Sequence, residues 1–165
     1  MAGLFDDFGG IAGSLGRSEA PVVFSATGNP FKPAPIICYE SIYGDYVQEY
    51  VNKGANILTI ITNDGWWGNT AGHKQHMLYA TLRAIETGKW VARSANTGIS
   101  CFIDPTGKVY QPTPWNQQAA LKMNIPAKNE PQYSGLLKSV ITMAPLVVAA
   151  FLLILSFIPR LWKKT

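Results

Sequence analysis

The sequence predicts an α/β domain whose sheet is parallel at its centre and antiparallel at one edge, followed by a C-terminal membrane-crossing helix. Three observations carry this. Apolar runs of strand length alternate with helical patterning between Pro35 and Ser94. Two short apolar runs joined by turn chemistry follow at 99–110. From Val140 to Ile158 about nineteen residues carry no charge, long enough to cross a hydrocarbon core as a helix.

The first strand is Pro35-Ile36-Ile37, which stops abruptly at Cys38-Tyr39-Glu40. Turn residues precede it (Thr27-Gly28-Asn29-Pro30, Pro33), and earlier still Val22-Val23-Phe24 reads as a short strand within a Gly- and Pro-rich lead. A helix is expected from Tyr43 to Asn52, closed by Lys53-Gly54. Asn56 to Thr62 is apolar on both faces and reads as a central strand covered on two sides. It runs into the polar and aromatic loop Asn63-Asp64-Gly65-Trp66-Trp67-Gly68-Asn69. Met77, Leu78, Leu82 and Ile85 recur at helical spacing between Gly72 and Thr87, with Gly88 as the stop. Trp90 to Ser94 is the next strand, Asn96-Thr97-Gly98 a turn, and Ile99 to Ile103 a strand. Asp104-Pro105-Thr106-Gly107 turns the chain into a hairpin partner at Lys108-Val109-Tyr110.

Composition narrows the function classes. The chain has 165 residues, enough for one domain with a self-supporting core. Its net charge of +4 is concentrated toward the C-terminus, which leaves the folded part nearly neutral and argues against a nucleic-acid surface. Charged residues make up 15% and hydrophobic ones 47%, a balance that points to membrane association or a very apolar site. Met1 to Gly16 has neither the basic start nor the apolar stretch of a secretory signal. Arg160, Trp162, Lys163 and Lys164, directly after the uncharged run, form the aromatic and basic cluster that stays on the cytoplasmic side. The body of the chain is then expected on the opposite face.

In an open α/β sheet, sites form beyond the carboxyl ends of the strands. Three segments fall there: Cys38-Tyr39-Glu40, Asn63-Asp64-Gly65-Trp66 and Ser94-Ala95-Asn96-Thr97-Gly98. A thiol at a strand-to-helix turn lies near the positive end of a helix dipole, which favours the reactive thiolate. The alternative is an ordinary core cysteine. Cys101, inside an apolar strand, reads as core. Glu40 either orients the site or is a surface carboxylate at a helix start. His73 and His76 offer a Cys–His reading, although a histidine at the start of a helix is more often a surface or capping residue. The scattered Cys and His residues have no metal-ligand spacing, and neither a phosphate-binding loop nor a dinucleotide fingerprint occurs, so no metal or cofactor is expected.

Four motifs in order resemble the nitrilase superfamily, and more narrowly its membrane branch, the apolipoprotein N-acyltransferases. They are Ile37-Cys38-Tyr39-Glu40, Thr62-Asn63-Asp64-Gly65-Trp66-Trp67-Gly68, Gln75-His76 with Arg83-Ala84-Ile85-Glu86, and Arg93 to Ser100. The resemblance runs from about Leu15 to Trp115. It implies half of a nitrilase-like αββα sandwich followed by one transmembrane helix. It also implies a Glu-Lys-Cys triad in which Cys38 is the nucleophile, accepting a phospholipid acyl chain as a thioester and passing it to the N-terminal amine of a lipoprotein. The Tyr39 backbone N–H would then donate to the oxyanion, Glu40 would support the site, and Asn63, Asp64, Trp66 and Trp67 would line the lipid pocket; the two tryptophans otherwise read as core packing.

The triad's Glu and Lys belong to a region that precedes the Cys strand in the family, and neither Glu19 nor Lys32 has a setting that lets it substitute. The chain therefore reads as a C-terminal part of such an enzyme, inactive alone, with a missing N-terminal half as a possible partner and an exposed sheet edge that invites pairing. The expected segments are a lead-in at 1–34, the nitrilase-like part at 35–128, a linker at 129–139, the membrane helix at 140–158 and a cytoplasmic basic tail at 159–165. The implied location is the bacterial inner membrane with the catalytic part on the periplasmic side. The rival readings are a membrane-tethered nitrilase or amidase-like hydrolase and a non-catalytic anchored binding module.

Overall fold

A computed structural model describes residues 18–127 and 135–162, with side chains of the last helix described over 143–156. The expectations for 1–17, for the linker around 128–134 and for the last three residues lie outside the described residues. The sheet has five strands in sequential order: β1 (Pro33–Ile37), β2 (Ile57–Thr62), β3 (Trp90–Ala95), β4 (Cys101–Ile103) and β5 (Val109–Tyr110). β1, β2 and β3 pair in parallel, and β4 and β5 add antiparallel, as the alternation of strands and helices requires. The crossover helices are α1 (Gly44–Asn52) and α2 (Ala71–Thr87), the latter ended by Gly88 at φ 65. A third helix, α3, spans Gly135–Trp162.

The core lies between one face of the sheet and the two crossover helices. Ala34, Ile36, Leu58, Ile60, Val91, Cys101 and Ile103 share a cluster with Val47 and Tyr50 of α1 and Ala80 and Ala84 of α2. Small residues at 80 and 84 let α2 approach the strands closely. Of the large apolar residues that mark α2 as a helix, Met77 packs against this cluster, whereas Leu78, Leu82 and Ile85 face away and are exposed.

Several expectations are corrected. Val22-Val23-Phe24 forms no strand; a single backbone bond from Phe24 N–H to Pro33 O ties it to the sheet. The central strand is not covered on both sides among the described residues: Ile37 and Ile61, paired across β1 and β2, are 52% and 54% exposed on the face away from the helices. The β1 edge, by contrast, does not invite pairing. Pro33 and Pro35 have no N–H, the Ile37 N–H donates to Glu40, and the Pro33 and Pro35 carbonyls accept from Phe24 N–H and the Tyr50 hydroxyl. Beside the blocked β1 edge, the sheet face carrying Ile37 and Ile61 is left open among the described residues.

The C-terminal run is helical as expected. Among the described residues, however, no helix is long and apolar enough to cross a membrane.

Candidate functional site

β1 ends at Ile37 and the chain turns at once into a five-residue 3-10 helix, Cys38–Ile42, before α1 begins at Gly44. The thiol thus lies at a strand-to-helix turn, and that turn is a short 3-10 helix between β1 and α1. Cys38 sits at φ 50, in the left-handed region that a side chain with a Cβ adopts at a cost of about 1–3 kcal/mol unless its surroundings impose it. The surroundings do. The Ile37 N–H before it donates to Glu40 Oε2 at 2.7 Å, and the Tyr46 hydroxyl holds Glu40 Oε1 at 3.4 Å. After it, the Cys38 carbonyl receives the Ser41 hydroxyl at 2.8 Å and has His76 Nε2 at 3.3 Å. Cys38 is half-buried, whereas Cys101 is buried and its thiol is pushed up to about 11 by burial. The two cysteines are free.

Beneath the turn lies a charged cluster closed to solvent. Asp64 Oδ2 accepts from Arg93 Nη2 at 2.8 Å, Asp64 Oδ1 lies 2.9 Å from His76 Nδ1, and the Thr62 hydroxyl donates to the same oxygen at 3.0 Å. Burial acts to raise the Asp64 pKa, but the hydrogen bonds from His76 and Arg93 outweigh it and hold the carboxyl below its usual range. Asp64 is therefore an acceptor-only carboxylate at neutral pH, and His76 Nδ1 donates to it. The other ring nitrogen, Nε2, is 3.1 Å from Ser41 Oγ. Arg93 also donates to the Ile99 carbonyl, and the Asp64 N–H donates to Thr97 O at 2.8 Å. The segments after β1, β2 and β3 are thus joined through one cluster, as the sheet's open end predicts.

The individual expectations divide. Tyr39 is 52% exposed, its ring 6.4 Å from Trp67 and 6.1 Å from His76 between centroids. Trp66, 83% exposed, is not a core residue, and Trp67 is half-buried with its ring 5.1 Å from His76. Asn63 is exposed, and its side-chain oxygen accepts the Gly65 N–H at 3.0 Å, closing the loop's own 3-10 turn. Asp64 does not line an open pocket: it is fully buried and faces inward. Glu40 spends its carboxylate on the turn's backbone, so it shapes the turn that presents the thiol. His73 and His76 are buried rather than surface or capping residues. His76 contacts the Cys38 carbonyl, which differs from a Cys–His nucleophile pair.

A carbon-nitrogen hydrolase family model matches residues 8–130, most of the chain. The chain belongs to the carbon-nitrogen hydrolase family. Among curated relatives, the apolipoprotein N-acyltransferase of Chlorobaculum tepidum is 44% identical over 115 residues, covering 69% of this chain and 22% of the relative. That of Haemophilus influenzae is 39% identical over 104 residues, 62% of this chain and 20% of the relative. The chain thus spans about a fifth of the length of the curated relatives it matches. Among solved structures, an amidase from Nesterenkonia sp. superposes with a TM-score of 0.46 at 19% identity, over 60% of this chain and 41% of the amidase.

In this carbon-nitrogen hydrolase, sequence reasoning gave Ser41 no role and His76 only a Cys–His reading, and it missed the buried pairing of Arg93; Ser41 carries no signal of its own, whereas His76 and Arg93 do. One signal marks them. Arg93 stands at the inward parity of β3 with Val91, and His73, His76, Ala80, Arg83, Ala84 and Thr87 form one stripe of α2 that is buried throughout. Arg83 of that stripe donates to the Ile42 carbonyl at 3.3 Å and pairs with Glu86 at 3.2 Å, anchoring the far end of the 3-10 turn.

Proposed function

We propose that the chain is a C-terminal portion of an apolipoprotein N-acyltransferase in which Cys38 carries the acyl group between donor and acceptor. The observation that carries this reading is Cys38 itself, half-buried and held at positive φ on a braced turn at the open end of the sheet. The names of the relatives and the four motifs supply the reaction. The Cys38 thiolate attacks a phospholipid ester carbonyl, a C–S bond forms, and the carbonyl electron pair moves to oxygen. Collapse of that oxyanion expels the lysophospholipid alkoxide, which takes up the proton lost by the thiol. The free amine of a lipoprotein's N-terminal residue then attacks the thioester, gives up its proton and releases the thiol. The exposed Tyr39 and Trp66, with the open faces of Ile37 and Ile61, supply an apolar setting suited to an acyl chain. Metal and cofactor have no step in this chemistry.

Glu19 and Lys32 are exposed residues before β1, so the thiol here lacks the Glu and Lys that the family resemblance calls for, and the chain by itself should be nearly inactive. With acyl-labelled phospholipid vesicles, the chain alone is expected to gain no more hydroxylamine-labile label than the Cys38→Ala variant. Coexpressed with the preceding portion of the Chlorobaculum tepidum relative, it is expected to be labelled at Cys38. Absence of label in the second setting sinks the acyl-carrier reading, and robust label in the first overturns the inactivity.

The same reading places α3 in the bacterial inner membrane, with the catalytic part periplasmic and the tail cytoplasmic, because Val140 to Ile158 carries no charge and basic residues follow it. The chain is then expected to stay in the membrane fraction through alkaline carbonate extraction; its release would refute the anchor.

A further inference from the structure

Cys38 and Tyr39 share one peptide unit, and no peptide bond among the described residues is cis. In a trans planar unit the C=O and the N–H point in opposite directions. The C=O end is fixed in the buried cluster: the Ser41 hydroxyl donates to it at 2.8 Å, and His76 Nε2 stands 3.3 Å from it and 3.1 Å from Ser41 Oγ. The N–H end is thereby directed away from the cluster. It also belongs to the first turn of a 3-10 helix, where backbone N–H groups have no partner within the helix.

His76 is in turn immobilised. Its Nδ1 is held by Asp64, whose other oxygen is held by Arg93, and its ring is flanked by Tyr39 and Trp67. We propose that His76, carrying a proton on both ring nitrogens, backed by Asp64 and Arg93 and acting with Ser41, is a positioning residue that anchors the Cys38 carbonyl and so aims the Tyr39 N–H at an oxyanion formed beside the Cys38 thiol. This rests on the reading of Cys38 as acyl acceptor. Two physical consequences favour such an arrangement over plain packing. Anchoring one end of a planar unit fixes the other without any contact on the reactive side, where substrate must fit. Hydrogen bonds accepted by the C=O also polarise the unit and strengthen its N–H as a donor.

The test separates oxyanion support from thiol reactivity. p-Nitrophenyl butyrate acylates a thiol through a tetrahedral oxyanion and expels nitrophenolate, whereas iodoacetamide alkylates the same sulfur by displacing iodide, with no oxyanion. Both rates are measured on the full chain over the Cys38→Ala background; buried Cys101 is common to both. His76→Leu leaves the Asp64–Arg93 pair matched, so no bare charge is created. It is expected to slow acylation about tenfold or more, while alkylation stays within about twofold, because a mis-aimed donor forfeits part of the 10²–10³ that one oxyanion donor supplies. His76→Gln, which retains a polar end, is expected to recover most of the loss.

A second readout needs no acyl transfer. Cys38 is the one cysteine followed by tyrosine, so labelling with carbonyl-13C cysteine and 15N tyrosine gives a single correlation. Its carbonyl shift is expected to move in His76→Leu and to return in His76→Gln. Equal loss of acylation and alkylation, or an unmoved carbonyl resonance, overturns the proposal. A moved resonance with acylation unslowed in His76→Leu supports the anchoring but refutes its service to the oxyanion.

Discussion

Arg93→Met is expected to destabilise the chain by roughly 3–5 kcal/mol, the usual cost of stranding one member of a buried ion pair. Arg93 and Asp64 are both closed to solvent at the side chain, and the guanidinium divides its donors between the Asp64 carboxylate and the Ile99 carbonyl. Methionine fills the volume but leaves the carboxylate with only His76 and Thr62 and without the guanidinium fork. Urea denaturation reads the effect as a lower midpoint at unchanged slope, and a loss under about 1 kcal/mol contradicts a structural role for the pair. Arg93→Lys is not a rescue, since one ammonium cannot reproduce the fork that serves two acceptors. The pH dependence has a definite sign. The folded-state pKa of Asp64 is depressed, so its contribution is present above the unfolded carboxylate value of about 3.9 and is lost as pH falls through the lower folded value. The gap between wild type and Arg93→Met should therefore narrow in acid.

Gly98→Ala is expected to cost about 2–5 kcal/mol, because it combines a forbidden backbone angle with overpacking. Gly98 stands at φ 135, and a Cβ placed there meets Asp64 Oδ2 at 2.5 Å and Asp64 Cβ at 2.9 Å. Asp64 has nowhere to retreat, being held by Arg93, His76, Thr62 and its own backbone bond to Thr97. Gly28→Ala is the matched control: its φ is 77, but nothing lies within 4 Å of the added Cβ. A thermal midpoint that falls equally in both variants would mean that backbone strain alone, not the closeness of Asp64, decides the position. A larger fall in Gly98→Ala ties the loop after β3 to the cluster under Cys38.

Strand order, crossover helices and the hairpin edge were legible because each depends on local signals. Apolar runs bounded by Gly, Pro and Asn state their own length, and the βαβ alternation leaves few parallel arrangements. The open end of the sheet could also be located, since chain direction alone places the segments after β1, β2 and β3 together. Which way α2 faces could not be read in the same way. Hydrophobicity along 77–85 points to one stripe, yet the buried stripe is the one holding His73, His76, Arg83 and two alanines. Burial of charged groups depends on partners supplied by other elements, here Asp64 from the loop after β2 and Arg93 from β3, and no single segment records that pairing.

Cys38 shows the same division at one residue. An apolar run that breaks at a cysteine, with Tyr39 and Glu40 behind it, is a property of the chain's order, and it identifies the strand end and the family without coordinates. Glu40 caps the Ile37 N–H and Ser41 holds the Cys38 carbonyl from three residues away, but the grip of His76 on Ser41 and on that carbonyl arises only when residues 35 and 38 positions apart in the chain meet. Sequence order specifies which groups are available and on which strand end they fall. Their orientation is settled by burial, because a carboxylate, an imidazole and a guanidinium shut away from water have only one another, and the backbone, left to bond.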